Sequence, residues 1–399
     1  QVCERVFNLM DDSISQADVP STPALNVGDR IELTIDDMAF GGEGVGRIDG
    51  FVVFVPFVIS GETVLVEITE KKKAFARAKP LQVLEASADR VEPRCEHFGT
   101  CGGCQYQHID YNTQQTIKES QVRDLFERIG GFDSTVVGNL VPCPEPYNYR
   151  NRIMVRRQWN KIEQRPVYGF LHWDSRLVID LQNCHIAESA LNEQLQEVRE
   201  NPPPRNMQKV VLRMMPDDWE MHRDSFFQNN FHLLPELVES VRQCLQDAGS
   251  KYLVDAYCGI GFFSLSLADL VEGFVGIDID KQCILPARRN LEQRGHTNGE
   301  FLLGKTEEHM DELLERFPAD DTTIILDPPR KGCHQEGLDM LVKASPRQVI
   351  YVSCHPATLA RDLKWLCENG YTLKSVTPLD MFPQTQHVEC VADLRRADS

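Results

Sequence analysis

Four short apolar runs in the C-terminal part of the chain each close on a side chain that can do chemistry. Lys251 to Asp255 runs into Ala256-Tyr257-Cys258-Gly259-Ile260-Gly261, and Gly273 to Ile277 closes on Asp278. Thr322 to Leu326 closes on Asp327-Pro328-Pro329-Arg330, and Gln348 to Ser353 on Cys354-His355-Pro356. Apolar strands alternating with helical stretches predict an α/β domain around a parallel sheet buried on both faces. Open sheets of this kind hold ligands in the crevice outside the carboxyl ends of their strands, where all of these polar residues fall.

The glycines narrow the ligand. The turn after the first strand carries Gly259 and Gly261, and Phe262 to Leu270 continues as an apolar helix. Asp278 follows at about the twenty-residue distance of a ribose-binding acid. A dinucleotide fold would place a third glycine where Ser264 stands, and an acid such as Asp255 opening the turn disfavours a pyrophosphate. That acid suits instead the cationic sulfonium and amino group of S-adenosylmethionine, so a methyltransferase is the better reading than a dehydrogenase. The two prolines after Asp327 force an extended exit. Amino-directed nucleic-acid methyltransferases follow such prolines with an aromatic that stacks the target base, and this chain has Arg330.

A lone cysteine after a strand is more often a small buried hydrophobe than a nucleophile. Beside three other functional strand ends, Cys354 reads as the nucleophile that carbon methylation of a pyrimidine requires. Uracil C5 is too poor a nucleophile to attack a methyl sulfonium, but a thiolate added at C6 makes an enolate with charge at C5. A base must then remove the C5 proton before the thiol is eliminated. Glu389 and His387, in Gln384-Thr385-Gln386-His387-Val388-Glu389, are the candidates, and the thiol itself needs activation from its free value of about 8.5.

The segments Asp255 to Gly261, Asp327 to Gly332, Ser353 to Asp362 and His387 to Glu389 closely resemble the signature stretches of the RNA uracil-5-methyltransferases. The resemblance spans nearly the whole chain and implies a Rossmann-like S-adenosylmethionine-dependent domain that makes 5-methyluridine. It implies Cys354 as nucleophile, Glu389 as base, and Gln228, Tyr257, Asp278 and Asp327 as cofactor contacts. Two positions depart from the family pattern: His355 stands where Asn is usual, and Asp278 where Glu is usual.

Upstream, Leu25 to Leu84 is rich in short β runs broken by Gly41-Gly42-Glu43-Gly44-Val45-Gly46, which predicts a small closed barrel. It resembles the TRAM module, an OB-like RNA-binding barrel, and Lys71-Lys72-Lys73-Ala74-Phe75-Ala76-Arg77-Ala78-Lys79 offers a phosphate and stacking surface. Between barrel and catalytic domain, Cys95, Cys101 and Cys104 cluster tightly, and Cys184 is the natural fourth. Three clustered thiolates with one distant partner suit a Cys₄ iron-sulfur cluster better than zinc, whose sites more often show paired C-x-x-C. The family resemblance implies a 4Fe-4S cluster here, expected to be structural because methyl transfer needs no electron.

The 13 cysteines form no spaced disulfide framework, and no membrane span or signal peptide is evident, so a cytoplasmic protein is expected. The formal net charge of −18 is adverse to phosphate binding, so RNA must meet local basic patches: the Lys71 to Lys79 ribbon, Arg150, Arg152, Arg156 and Arg157, and Arg330 with Lys331. The expected organisation is a flexible tail over 1–23, the barrel over 24–87, a central iron-sulfur α+β region over 88–234, and the catalytic domain over 235–399. An amphipathic helix from Thr113 to Ile129 is expected to leave the central region and pack on the catalytic domain. The chain is expected to act as a monomer on RNA. Large-subunit ribosomal RNA is favoured by the barrel and the Asp327 to Gly332 segment, and uridine 54 of transfer RNA is the alternative. The rival class is a noncatalytic RNA-binding protein retaining the fold, which would be expected to have lost Cys354 or Glu389.

Overall fold

A computed structural model describes residues 25–397, and the tail expected over 1–23 lies outside them. Strands β1 (Arg30–Met38), β2 (Glu43–Ile48), β3 (Phe51–Pro56), β4 (Thr63–Lys71) and β5 (Phe75–Glu85) close a barrel in the order β1-β2-β3-β5-β4. Alternate residues such as Leu33, Ile35, Val53, Val55, Val64 and Val66 fill its interior. The basic ribbon at the β4–β5 turn is largely neutralised. Register sets Glu67 opposite Lys79 and Glu70 opposite Arg77, and Lys79 pairs with Glu67, Lys72 with Glu70 and Arg77 with Glu43.

After the barrel come α1 (Tyr111–Leu125), then β6 (Arg152–Asn160), β7 (Arg165–Gly169), α2 (Ser189–Glu200) and β8 (Lys209–Arg213). The strands form a three-stranded antiparallel sheet in the order β7-β6-β8. Its core of Tyr149, Ile153, Val155, Tyr168, Leu191 and Leu195 includes Cys184. Helix α1 runs on into a single π turn over Phe126–Gly130, ending at Gly131 with φ +69°. Val122 and Phe126 are wholly buried in the same cluster as Leu363 and Val376, so α1 and the turn that ends it pack on the catalytic region, while Ile117 of α1 packs on Tyr106 and Ile109.

The catalytic region follows α3 (Leu234–Ala248). It comprises β9 (Tyr252–Asp255), α4 (Phe262–Ser266), β10 (Gly273–Asp278), α5 (Lys281–Arg294), β11 (Gly299–Leu303) and α6 (Thr306–Arg316). It continues through β12 (Thr322–Leu326), α7 (Gln335–Ala344), β13 (Gln348–Ser353), α8 (Pro356–Glu368), β14 (Tyr371–Leu379) and β15 (Glu389–Arg396). The sheet order is β11-β10-β9-β12-β13-β15-β14, with β9 to β13 parallel and β15 antiparallel to both its neighbours. Successive residues serve opposite faces: Val254, Ile324 and Val349 enter one core, while Leu253, Ile325 and Ile350 enter the other. This double burial is why the strands read as continuous apolar runs. The strand order reverses between β9 and β12, so the crevice at the switch point opens there.

The helix expected over Phe262 to Leu270 is shorter. Leu267 leaves helical geometry at φ −117° and ψ 0°, and a 3₁₀ turn completes the stretch. Gly261, at φ +87°, is required at its start, because a Cβ there would stand 2.5 Å from the Phe301 ring.

Candidate active site

A cavity of about 890 Å³ opens over the switch point. It is lined by Tyr257 and Gly259 after β9, Asp278 at the end of β10, and Asp327 to Arg330 after β12. Cys354 lies just past β13, and Glu389 is contributed by the first position of β15. Because β15 runs antiparallel to β13, its N-terminus meets the C-terminal ends of the others, which brings Glu389 beside Cys354 despite their separation in sequence. Gln228, Phe226 and Arg152 approach from outside the sheet. All six residues expected at the catalytic and cofactor positions therefore face one space.

The contacts are specific. Gln228 Nε2 donates to Asp327 Oδ2 at 3.4 Å. Asp278 accepts from the Gly259 amide at 2.9 Å and from the Asp280 amide at 2.8 Å, so the short carboxylate also ties down the glycine turn. Asp255 corrects an expectation: it is not among the cavity-lining residues. Its Oδ2 accepts from the Ser264 amide at 3.1 Å and hydroxyl at 2.7 Å, bracing the turn from below, while Oδ1 is buried without a partner. The serine at the third fingerprint position is thus the partner of that acid.

Electrostatics are set by burial and crowding. Burial pushes the Asp255 carboxyl up to about 6, and burial together with the Asp255 charge pushes Asp327 up to about 7. Glu389 is only 3% exposed; burial, with Asp327 beside it, raises its carboxyl well above the ordinary range, against the pull of Arg330. The Cys354 thiol is pushed up to about 12, first by burial and then by the Glu389 charge, while Arg330 favours the thiolate. Arg330 also donates to His387 Nε2 at 3.3 Å. Burial, followed by the Arg330 charge, holds His387 down to about 3, so it stays neutral and its Nε2 accepts. Arg330 is therefore the cation common to the thiol, the acid and the imidazole, a role its position after two prolines did not disclose.

The four cysteines lie in one neighbourhood. Cys95 and Cys101 sit on a loop closed by Phe98 N to Cys95 O and Cys101 N to His97 O, and Gly102 N bonds Leu171 O. The side chain of Asn192 clamps Cys184 through both its amide and its carbonyl. Burial raises all four thiols, Cys101 to about 11, and each of Cys101 and Cys104 is raised further by Cys184 and Cys95. All described cysteines are free thiols. The donor chemistry fits a Cys₄ group, yet among the described residues no three His, Cys, Asp or Glu side chains converge closely enough to hold a metal ion.

Sheet order, glycine turn and cavity together are those of an S-adenosylmethionine-dependent methyltransferase. Residues 208–397 match the family described as tRNA (Uracil-5-)-methyltransferase, and residues 24–81 match the TRAM domain. An uncharacterized RNA methyltransferase of Thermosynechococcus vestitus is 31% identical over 92% of this chain and 98% of its own. One from Halalkalibacterium halodurans is 30% identical over 93% and 98%. The crystal structure of the Pyrococcus abyssi tRNA (uracil-54, C5)-methyltransferase in complex with S-adenosyl-L-homocysteine is similar with a TM-score of 0.68. It is 26% identical, over 91% of this chain and all of that one. The chain belongs to the RNA uracil-5-methyltransferase family. Among the described residues no helix is long and apolar enough to cross a membrane.

Proposed function

We propose that this enzyme methylates C5 of a uridine in RNA through a covalent adduct on Cys354, with Glu389 removing the C5 proton. The observation that carries the reading is that Cys354 and Glu389 open into the same cavity as Gln228, Tyr257, Asp278 and Asp327. Those four would hold S-adenosylmethionine, which supplies an electrophilic methyl on a sulfonium. Cys354 adds to C6 and gives C5 the electron pair that takes the methyl. Glu389 accepts the C5 proton, and the returning pair expels the thiolate and restores the ring. Arg330 is the group that favours the thiolate, since burial and Glu389 oppose it.

The substrate favoured by the barrel and the Asp327 to Gly332 segment is large-subunit ribosomal RNA, in a cytoplasmic, monomeric enzyme divided near residues 87 and 234. A second reading, uridine 54 of transfer RNA, is supported by the similarity to the Pyrococcus abyssi tRNA enzyme. Cys95, Cys101, Cys104 and Cys184 are assigned to a 4Fe-4S cluster that ties the central region together and gives no electron to the reaction. The test is incubation with ribosomal and transfer RNA containing 5-fluorouridine, whose fluorine a base cannot remove as a proton. An RNA-protein band that survives denaturation and is lost in Cys354→Ala supports the covalent route and identifies the RNA; no such band with either RNA rejects it.

A further inference from the structure

The segment 380–388, which joins β14 to β15, is almost entirely buried. Asp380, Met381 and Val388 have no exposure, Gln384 has 1% and Thr385 2%. It matters because Phe382, Thr385 and His387 line the cavity and the segment leads directly into Glu389. Buried irregular backbone must have its polar groups satisfied somewhere. Within the segment only a few bonds serve, such as Thr385 N and Oγ1 to Phe382 O. The rest come from parts of the chain before the catalytic domain.

Helix α1 supplies the most. Lys118 is wholly buried, and its ammonium donates to Asp380 Oδ1 at 2.6 Å, Phe382 O at 3.1 Å and His387 O at 3.1 Å. One helical turn earlier, Gln114 Nε2 donates to Gln384 Oε1 at 3.0 Å, and its Oε1 accepts from the Gln384 amide at 3.2 Å. Gln384 is held at φ +66°, a left-handed conformation that a non-glycine residue keeps only when its surroundings impose it. Gln105 N and Tyr106 N both donate to Gln384 O at 3.0 Å, Tyr149 OH donates to Pro383 O at 2.9 Å, and Asn230 Nδ2 to Met381 O at 3.2 Å. Neither Gln114 nor Lys118 lines the cavity.

We propose that Lys118 and Gln114 are positioning residues: the polar stripe of α1 is the jig that sets the 380–388 segment and thereby aims Glu389 at the C5 proton. This rests on the reading of Glu389 as the base. Lys118 acts at both ends of the segment at once, through the carbonyls of Phe382 and His387. Loosening it should therefore disturb the step that needs Glu389 more than the addition of Cys354, which directly follows β13.

The test is a double variant, Lys118→Met with Asp380→Leu, because exchanging both members of a buried pair for apolar groups commonly leaves the fold intact. Gln384→Gly serves beside it, since glycine keeps the left-handed backbone and deletes only the side chain, with its bonds to Gln114 and to Pro146 O. Cofactor affinity, thermal melting and the fraction of enzyme carrying RNA on a denaturing gel are followed during turnover. The expected result is unchanged cofactor affinity, adduct that accumulates, and adduct resolution slowed by about 10²-fold in the double variant, the scale of a 1 Å misplacement, and by less in Gln384→Gly. A folded variant of either kind with wild-type turnover and no adduct overturns the proposal, and if the double variant does not fold, Gln384→Gly decides alone. Glu389→Gln is run in parallel. Normal turnover there removes the base assignment and the proposal with it, whatever the α1 variants do; adduct in Glu389→Gln with none in the double variant or Gln384→Gly removes only the jig.

Discussion

Nδ1 of His355 accepts the backbone N–H of Thr358 at 3.3 Å, which makes the residue after Cys354 the N-cap of α8. Asparagine, usual at this position in the family that the sequence resembles, does the same with its side-chain oxygen. The departure therefore changes the capping atom and keeps the job. His355→Asn should retain stability and activity, while His355→Ala should cost about 0.5–2 kcal/mol in chemical denaturation. Equal stability of all three proteins would show that the cap contributes nothing.

Cys354→Ala should abolish methyl transfer and leave cofactor affinity unchanged, because in the proposed mechanism the thiol adds to the pyrimidine and takes no part in holding the cofactor. Single-turnover transfer from labelled cofactor, alongside equilibrium binding, separates the two. Substantial methylation by the alanine variant would exclude covalent catalysis.

Glu389→Gln should let the cysteine add and the methyl transfer, then stall. Loss of a general base typically costs about 10² to 10⁴ in rate. The stalled species should appear as methylated RNA attached to protein on a denaturing gel. Normal turnover without it would shift the role to a water relay, since His387 is occupied as an acceptor for Arg330.

Affinity for S-adenosylmethionine should rise with pH between about 6 and 8. Asp327, which lines the cavity, is raised to about 7, so below that value it is neutral in the free enzyme, and only its ionised form attracts a sulfonium. Binding the cation should release protons. In the cofactor-free protein the sign is reversed for stability, because a carboxyl raised on folding favours the folded state at low pH and penalises it as pH climbs through its folded value. S-adenosylhomocysteine, whose sulfur is neutral, should show the shallower slope. Calorimetry in buffers of different ionisation enthalpy reads both, and identical slopes for the two ligands would reject the electrostatic account.

Anaerobically purified protein should carry about four irons on its Cys₄ set, and Cys184→Ser should lose the colour and melt earlier. Reduction of the cluster should leave the methylation rate unchanged. Stoichiometric zinc without iron would reassign the group, and a redox-dependent rate would end the structural interpretation.

The strand ends were legible because a doubly covered parallel sheet writes itself as unbroken apolar runs and puts whatever follows each run into the crevice. The placement of Cys354, Asp278 and Asp327 at the crevice follows from that geometry alone, and their roles come from the resemblance. What was illegible depended on pairings between distant positions. The basic ribbon looked free because nothing in Lys71 to Lys79 reveals that barrel register sets Glu67 across from Lys79 and Glu70 across from Arg77. Asp255 looked cavity-facing because its hydrogen bonds to Ser264 form only once the turn folds back. Lys118 gave one faint signal, a charged residue at helical spacing among Gln114, Val122 and Leu125 on a face that proves to be buried. Its partner lies 262 residues away, beyond any local pattern.

The β1–β2 turn of the barrel carries Phe40, whose ring meets the His355 ring edge-on at 5.8 Å and shares a buried cluster with Leu125 of α1 and Ala357 of α8. Gln121 of α1 holds the same turn through the carbonyls of Met38 and Ala39. The barrel is thus not a detachable accessory tethered to an independent enzyme. A chimera carrying a relative's barrel would have to import the matching face of α1 and the start of α8 with it, so exchange of target preference by swapping this module alone should yield proteins that fold poorly, whatever RNA the incoming barrel prefers.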